Sequence, residues 1–269
     1  MSTTIDRPPD TVRTAAETAA EVGRGAHPRT RSLGGYLFMP VLLLATLVAL
    51  FLWVSSRELS SGEQRRLNAE SILANVREHV SLTVVSTILV LLIAIPLGIV
   101  LTRSFARTIT PPAIAVFNIG QAVPSIGVVA LLATVWDIGF WPVVAALVAY
   151  TTLSVLRNTM VGLQQVDASV IESARGMGMT KRAVLTRIEL PLAVPVIMAG
   201  LRTALTINVG TATLAPFVGA GGLGELIVAG ITQDQQLILV VGAVLVAVLA
   251  LLIDYLAGIA EEKLRPRGL

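Results

Sequence analysis

The stretch Glu172-Ser173-Ala174-Arg175-Gly176-Met177-Gly178, continuing to Ile188-Glu189-Leu190-Pro191, is polar and amphipathic yet lies between long apolar runs. From Asp167 to Arg175 the apolar positions Val170, Ile171 and Ala174 recur at spacings of three and four, which predicts one face of a helix. Gly176 and Gly178 follow and end it, because glycine enters the left-handed region at little cost. Thr180 is placed to cap a second short helix carrying Ala183, Val184 and Ile188 on one side. Pro191 closes the loop and can start the next helix, since an early helical position needs no N–H. The expectation is a helix, a sharp turn and a second helix, lying at right angles to the flanking spans. Such a pair could rest on lipid headgroups, which Lys181, Arg182 and Arg187 would suit. Its short apolar faces, with the small Ala183, suit a protein groove better.

Composition sets the context for this loop. The chain is 54% hydrophobic and 14% charged, against about a quarter charged in soluble domains. So apolar a chain reads as an integral membrane protein. The hydrophobicity comes in blocks rather than alternating residues, which favours helices over a barrel. With no cysteine, disulfides, thiolate metal sites and cysteine nucleophiles are excluded. His27 and His79 lie far apart and outside the apolar blocks, so both read as solvated residues, and no metal site is expected. The basic excess, a net charge of +3, reads as membrane-flanking charge rather than a nucleic-acid surface.

Residues 1–35 contain no sustained apolar run and read as a disordered tail, with no signal peptide expected. Six spans are predicted, at about 36–54, 80–102, 113–135, 141–160, 191–214 and 236–258. Of the 20 Lys and Arg, fifteen fall in the tail, after the second span, around the loop and at the C-terminal end. Four (Arg57, Arg65, Arg66 and Arg77) fall on the other side, and Arg202 lies within a span. The positive-inside tendency therefore puts both termini and the loop in the cytoplasm. Trp53, Trp136 and Trp141 then sit at outer span ends, where indole rings collect.

Polar residues inside spans are candidates for lining a solute path. Asn118, Gln121 and Ser125 share one helical face of the third span, where Gly120 and Pro124 are placed to break the helix. Asn208, Thr211 and Thr213 cluster on the fifth. Both groups suit helix–helix packing as well as a pathway. Arg202 should face a partner or a cavity rather than lipid. The run Gly219-Ala220-Gly221-Gly222-Leu223-Gly224 lacks the Lys-Ser/Thr ending of a phosphate-binding loop and reads as a flexible external re-entrant turn. An intramembrane enzyme would need clustered His, Cys or acidic residues at membrane depth. Asp137 and Asp254 stand alone near span ends, so no enzyme is expected.

Several motifs together resemble one family. Ile95-Pro96-Leu97-Gly98, Ile119-Gly120-Gln121-Ala122-Val123-Pro124-Ser125, Leu156-Arg157-Asn158-Thr159, the loop from Glu172 to Pro191, and Ile207-Asn208-Val209-Gly210-Thr211 are similar to ABC importer permeases. The likeness covers about 72–258 and is to permeases importing osmoprotectants such as glycine betaine, choline, carnitine or proline betaine. It implies an all-α membrane protein of the type I importer permease fold, with the loop 167–190 as the coupling ("EAA") element. Glu172, Ser173, Ala174, Gly176, Gly178, Ala183, Ile188, Leu190 and Pro191 would then dock an ATPase. Ser173 departs from the family's usual alanine, a small-for-small change.

The resemblance further implies a multi-pass protein of the bacterial inner membrane with no cofactor of its own, ATP and magnesium being held by a cytoplasmic ATPase dimer. It implies a second permease, copy or paralogue, and a separate extracytoplasmic binding protein, since the chain stops soon after its last span. A sister importer, for methionine or another small solute, shares the loop. The role of an extra first span, 36–54, and of the tails 1–35 and 259–269 is not given by the resemblance. With only 4% aromatic residues, the permease lacks material for an aromatic cage around a quaternary ammonium, which leaves tight solute choice to the binding protein.

Overall fold

The computed structural model describes residues 33–264. The chain divides into a unit ending at Pro40 and a unit beginning at Val41, and most of the predicted tail lies outside the described residues. Helix α1 runs Leu33–Ser55, and α2 is a single short piece, Ser61–Arg66, closed by a reciprocal capping box between Ser60 and Glu63. Asn68 then caps α3, Ala69–Leu101, by accepting from the Ser71 N–H. The helix thus begins eleven residues before the predicted span, because an Asn cap and a helix-compatible run (Glu70 to Glu78) precede the apolar block.

After α3, the chain makes a 3₁₀ turn at Ser104–Ala106 and forms α4, Thr110–Ala122, and α5, Ser125–Val135. The predicted straight span at 113–135 is therefore a bent pair, with 94° between its halves. Pro124 has no N–H to continue the ladder and forces Val123 into an extended conformation. Helix α6 spans Phe140–Gln164, α7 Ala168–Gly176 and α8 Lys181–Val184. A π turn at Leu185–Glu189 joins α8 to α9, Leu190–Ala212, and the last two helices are α10, Gly224–Thr232, and α11, Gln236–Leu264.

Among the described residues, five helical stretches are long and apolar enough to cross a membrane, and six if the bent pair counts as one. The packing makes the pair a crossing. One core layer joins Leu82 of α3, Val129 of α5, Val143 and Leu147 of α6 and Ala212 of α9. A second joins Val90 to Leu101 of α3, Leu153 to Met160 of α6 and Ala204 of α9, with Ala113, Ile114 and Phe117 of α4 packed against it. The chain leaves α3 at the second layer, enters α6 at the first, and α4 and α5 carry it between them.

The helices α3, α6 and α9 form the centre. They approach closely because small residues face them: a Cβ on Gly98 would lie 2.7 Å from the Thr159 methyl, and one on Gly200 would lie 2.5 Å from Asn158 Cβ. Without a hydrophobic drive between helices in lipid, such close backbone packing is what holds a bundle together. Gly200→Val is therefore expected to cost about 2 kcal/mol or more through overpacking, read as lost thermal stability of the purified protein. Unchanged melting would show that the α6–α9 contact relaxes freely.

Candidate functional site

The loop forms where the sequence predicts it. Asp167 caps α7 by accepting from the Ser169 N–H at 2.8 Å, a bond that holds its carboxyl below the usual carboxylate range. A carboxylate with a lowered pKa contributes its cap above the ordinary Asp value and loses it as pH falls through the lowered one. The cap is thus complete at neutral pH. At the other end the Gly178 N–H returns to the Arg175 carbonyl and the Met179 N–H to the Ala174 carbonyl. Gly178 takes φ +85°, a conformation that strains any side chain. Thr180 caps α8 by accepting from the Ala183 N–H.

The second arm differs from expectation. It is no separate helix: Lys181–Ala212 is one continuous helical run into the membrane. Pro191 would leave a gap in an α ladder, and the turn widens to π spacing just before it, with the Leu190 N–H reaching the Leu185 carbonyl. The second arm of the hairpin and α9 thus share one helical backbone.

The nine predicted docking residues separate by exposure. Glu172, Ser173, Gly176 and Gly178 are exposed, whereas Ala183, Ile188, Leu190 and Pro191 are half-covered. Ala174 is 1% exposed, so it packs the hairpin against its own chain and offers no surface to a partner. Met177, which the sequence reading did not single out, stands 77% exposed at the turn. Its position between two breaker glycines was the available signal.

An ion pair fixes the base of the hairpin. Arg103, just past α3, donates from Nη2 to Glu189 Oε2 at 2.6 Å and from Nη1 to Oε1 at 3.4 Å, while its Nε reaches the Ile99 carbonyl. The Glu189 side chain is 8% exposed. Beside this pair lies a cavity of about 900 Å³, with Phe105, Gln164, Ile171 and Arg175 in its wall.

Among the candidate pathway residues, Asn208 is fully buried and donates from Nδ2 to both Ser86 Oγ and Thr87 Oγ1 on α3. Its face of α9 is thus packed against α3 rather than open on this chain. Gln121 is half-buried and donates to the Tyr150 carbonyl, and the exposed Asn118 accepts from Arg157 Nη2. Ser125 and Thr211 are half-buried. Asn208→Ala is expected to lower stability by about 1 kcal/mol, the scale of interhelical hydrogen bonds in lipid. A loss of transport with melting unchanged would place it in the pathway.

Three further readings are corrected. His79 is completely buried, with Nε2 3.0 Å from the Val209 carbonyl, one of the last four carbonyls of α9. It reads as solvated only if α3 begins near Val80, and α3 begins at Ala69. The glycine run is held rather than free, as the Gly222 N–H donates to Glu78 Oε2 at 2.9 Å. Arg202 has the partner its depth demands. It pairs with Asp254 through two 2.9 Å bonds and with Glu261 at 3.3 Å. Asp254 therefore does not stand alone. Its seven-residue spacing from Glu261 placed both acids on one face of α11, a signal present in the sequence.

The family model for binding-protein-dependent transport system inner membrane components matches residues 94–266, well over half of the chain. The chain belongs to that family. This binding-protein-dependent permease is 42% identical over 204 residues to the choline transport system permease protein OpuBB of Bacillus subtilis, covering 75% of this chain and 92% of that one. It is 39% identical over 229 residues to the osmoprotectant import permease protein OsmY of Salmonella typhimurium, covering 85% and 94%. The carnitine transport permease protein OpuCB of Listeria monocytogenes is 36% identical over 207 residues, 75% and 92% covered. Among solved structures, an inward-facing methionine ABC transporter MetNI shares the fold, with a TM-score of 0.65 and 23% identity over 77% of this chain and 100% of that one. The permease is thus a multi-pass inner-membrane transport component, all-helical, and works with a binding protein.

Proposed function

We propose that this permease carries osmoprotectants bearing a quaternary ammonium, such as glycine betaine, choline or carnitine, in an ATP-driven importer. The observation that carries the reading is the run of relatives for these solutes, near 40% identical over three quarters or more of the chain. ATP is bound and hydrolysed by a separate ATPase dimer, which grips the hairpin 167–190 from the cytoplasm. Two features support that surface. The hairpin is capped at both arms by its own side chains, and it exposes Glu172, Ser173, Met177 and Gly178 at its turn. The continuous run from Lys181 to Ala212 then couples hairpin movement to the membrane.

Fifteen Lys and Arg against four support a cytoplasmic position for the hairpin and both termini. A second permease, copy or paralogue, completes the pathway, and Asn118, Gln121, Ser125 and Thr211 remain its proposed lining together with the exposed face of α9. An external binding protein delivers the solute. The test is uptake of labelled choline, glycine betaine and methionine by transport-deficient cells carrying the whole system. Uptake of the first two supports the reading, and uptake of methionine alone would replace it with a sister importer.

A further inference from the structure

The exposed surfaces of the central helices differ in chemistry. Along α3 they are large and apolar (Val84, Ile88, Leu92, Ile93 and Val100), as a lipid-facing surface requires. Along α9 they are Ala199, Thr203, Thr206 and Gly210. Beside that small and hydroxylated face lies a cavity of about 410 Å³, walled by Ala199, Arg202, Thr203, Thr206, Ile207 and Asp254. Arg202 and Asp254 in its wall, and Glu261, which pairs with Arg202 Nη1 from outside that wall, each keep about a third of the side chain exposed. Arg202 and Asp254 lie within the spans, and charges that stay exposed there face water rather than hydrocarbon, so this cavity belongs to a wet path.

The trio holds one positive and two negative charges. A guanidinium has five N–H donors, and three are engaged here, Nε and one each from Nη1 and Nη2. The site therefore offers surplus negative charge from Asp254 and Glu261 beside two free N–H groups of Arg202. Choline, glycine betaine and carnitine share a complementary pattern, a permanent cation with an oxygen a few bonds away. We infer that the cavity walled by Arg202 and Asp254, with Glu261 beside it, is a transient binding site for the transported solute, its quaternary ammonium drawn by the surplus charge of the two carboxylates and its oxygen accepting from Arg202. This rests on the solute class proposed above. Net charge here does the work of an aromatic cage, and the open, hydrated setting keeps the affinity low, as a site that must also release its solute requires.

The test is saturation-transfer NMR on the complete permease–ATPase complex in lipid nanodiscs, without binding protein. Its probes are choline, glycine betaine and 3,3-dimethylbutanol, the neutral isostere of choline. The wild type is expected to bind the first two and not the third. Glu261→Gln keeps the twofold Arg202–Asp254 pair and removes the excess negative charge, and it should weaken choline binding at least tenfold. Ala199→Leu fills the cavity without touching a charge and should abolish binding of both. Equal binding of the isostere by the wild type, or undiminished choline binding by Glu261→Gln, overturns the site and leaves the trio as a helix staple. A wild type that imports choline in cells yet binds none in nanodiscs overturns the site while the solute class stands. Absence of both uptake and binding removes the class as well.

Discussion

Gly178→Val is expected to abolish co-purification of the ATPase with this permease, a loss of tenfold or more, while the protein still inserts in the membrane. The reason lies in the backbone. Gly178 takes φ +85°, and no atom of the chain outside its neighbours lies within 4 Å of a Cβ built there. The substitution therefore meets no clash within the chain. It meets the left-handed penalty, about 1–2 kcal/mol for an ordinary residue and more for a β-branched one. The hairpin is a local structure held by two caps and two return bonds, so a strain of that size deforms it before it unfolds the bundle. Gly178→Asn separates the explanations, because Asn tolerates the left-handed region and should keep most of the ATPase. Glu172→Lys should also release the ATPase, through charge reversal on an exposed face with the backbone untouched. Normal co-purification with Gly178→Val and Glu172→Lys together would move the docking surface elsewhere.

Arg103→Glu is expected to uncouple the transporter. In the wild type Glu189 is buried and its charge is balanced by Arg103. Removing one partner of a buried pair costs about 3–5 kcal/mol, reduced to about 2 kcal/mol here because Arg103 is a third exposed and screened by water. The local consequence is specific. Glu189 lies in the π turn where the hairpin becomes α9, so without its partner the base of the hairpin is free to shift against α3. ATPase still docks on the distant turn, and the expected result is hydrolysis without solute uptake. Exchanging the charges, Arg103→Glu with Glu189→Arg, should restore part of the coupling. A single mutant that transports normally would show the pair to be dispensable to transmission.

The first arm of the hairpin and its turn were legible in the sequence, but the merging of the second arm into α9 was not. Asp167 and Thr180 cap and Gly178 breaks, through bonds that reach no more than five positions along the chain, while Gly176 stays inside α7 as its last residue. The bend after Ala122 was marked by Pro124 in the same way. The depth of Arg202 likewise implied a partner, although Asp254 was read as solitary because its mate lies on another helix.

What the sequence determined by itself is where the long apolar runs lie, the caps and turn of the hairpin, and the membrane as solvent, because each depends on near neighbours and on the mean character of a run. Only the tertiary structure decided which face of each helix is buried. Asn208 turns to Ser86 and Thr87, while Thr203 and Thr206 on the same helix face outward. His79 reaches a carbonyl 130 residues away, and Ala174 folds under its own hairpin. In a lipid-dissolved chain nearly every face is apolar, so hydrophobic periodicity no longer marks the inside. Packing of small residues and the pairing of rare polar groups decide it instead, and those partners come together only when the helices do.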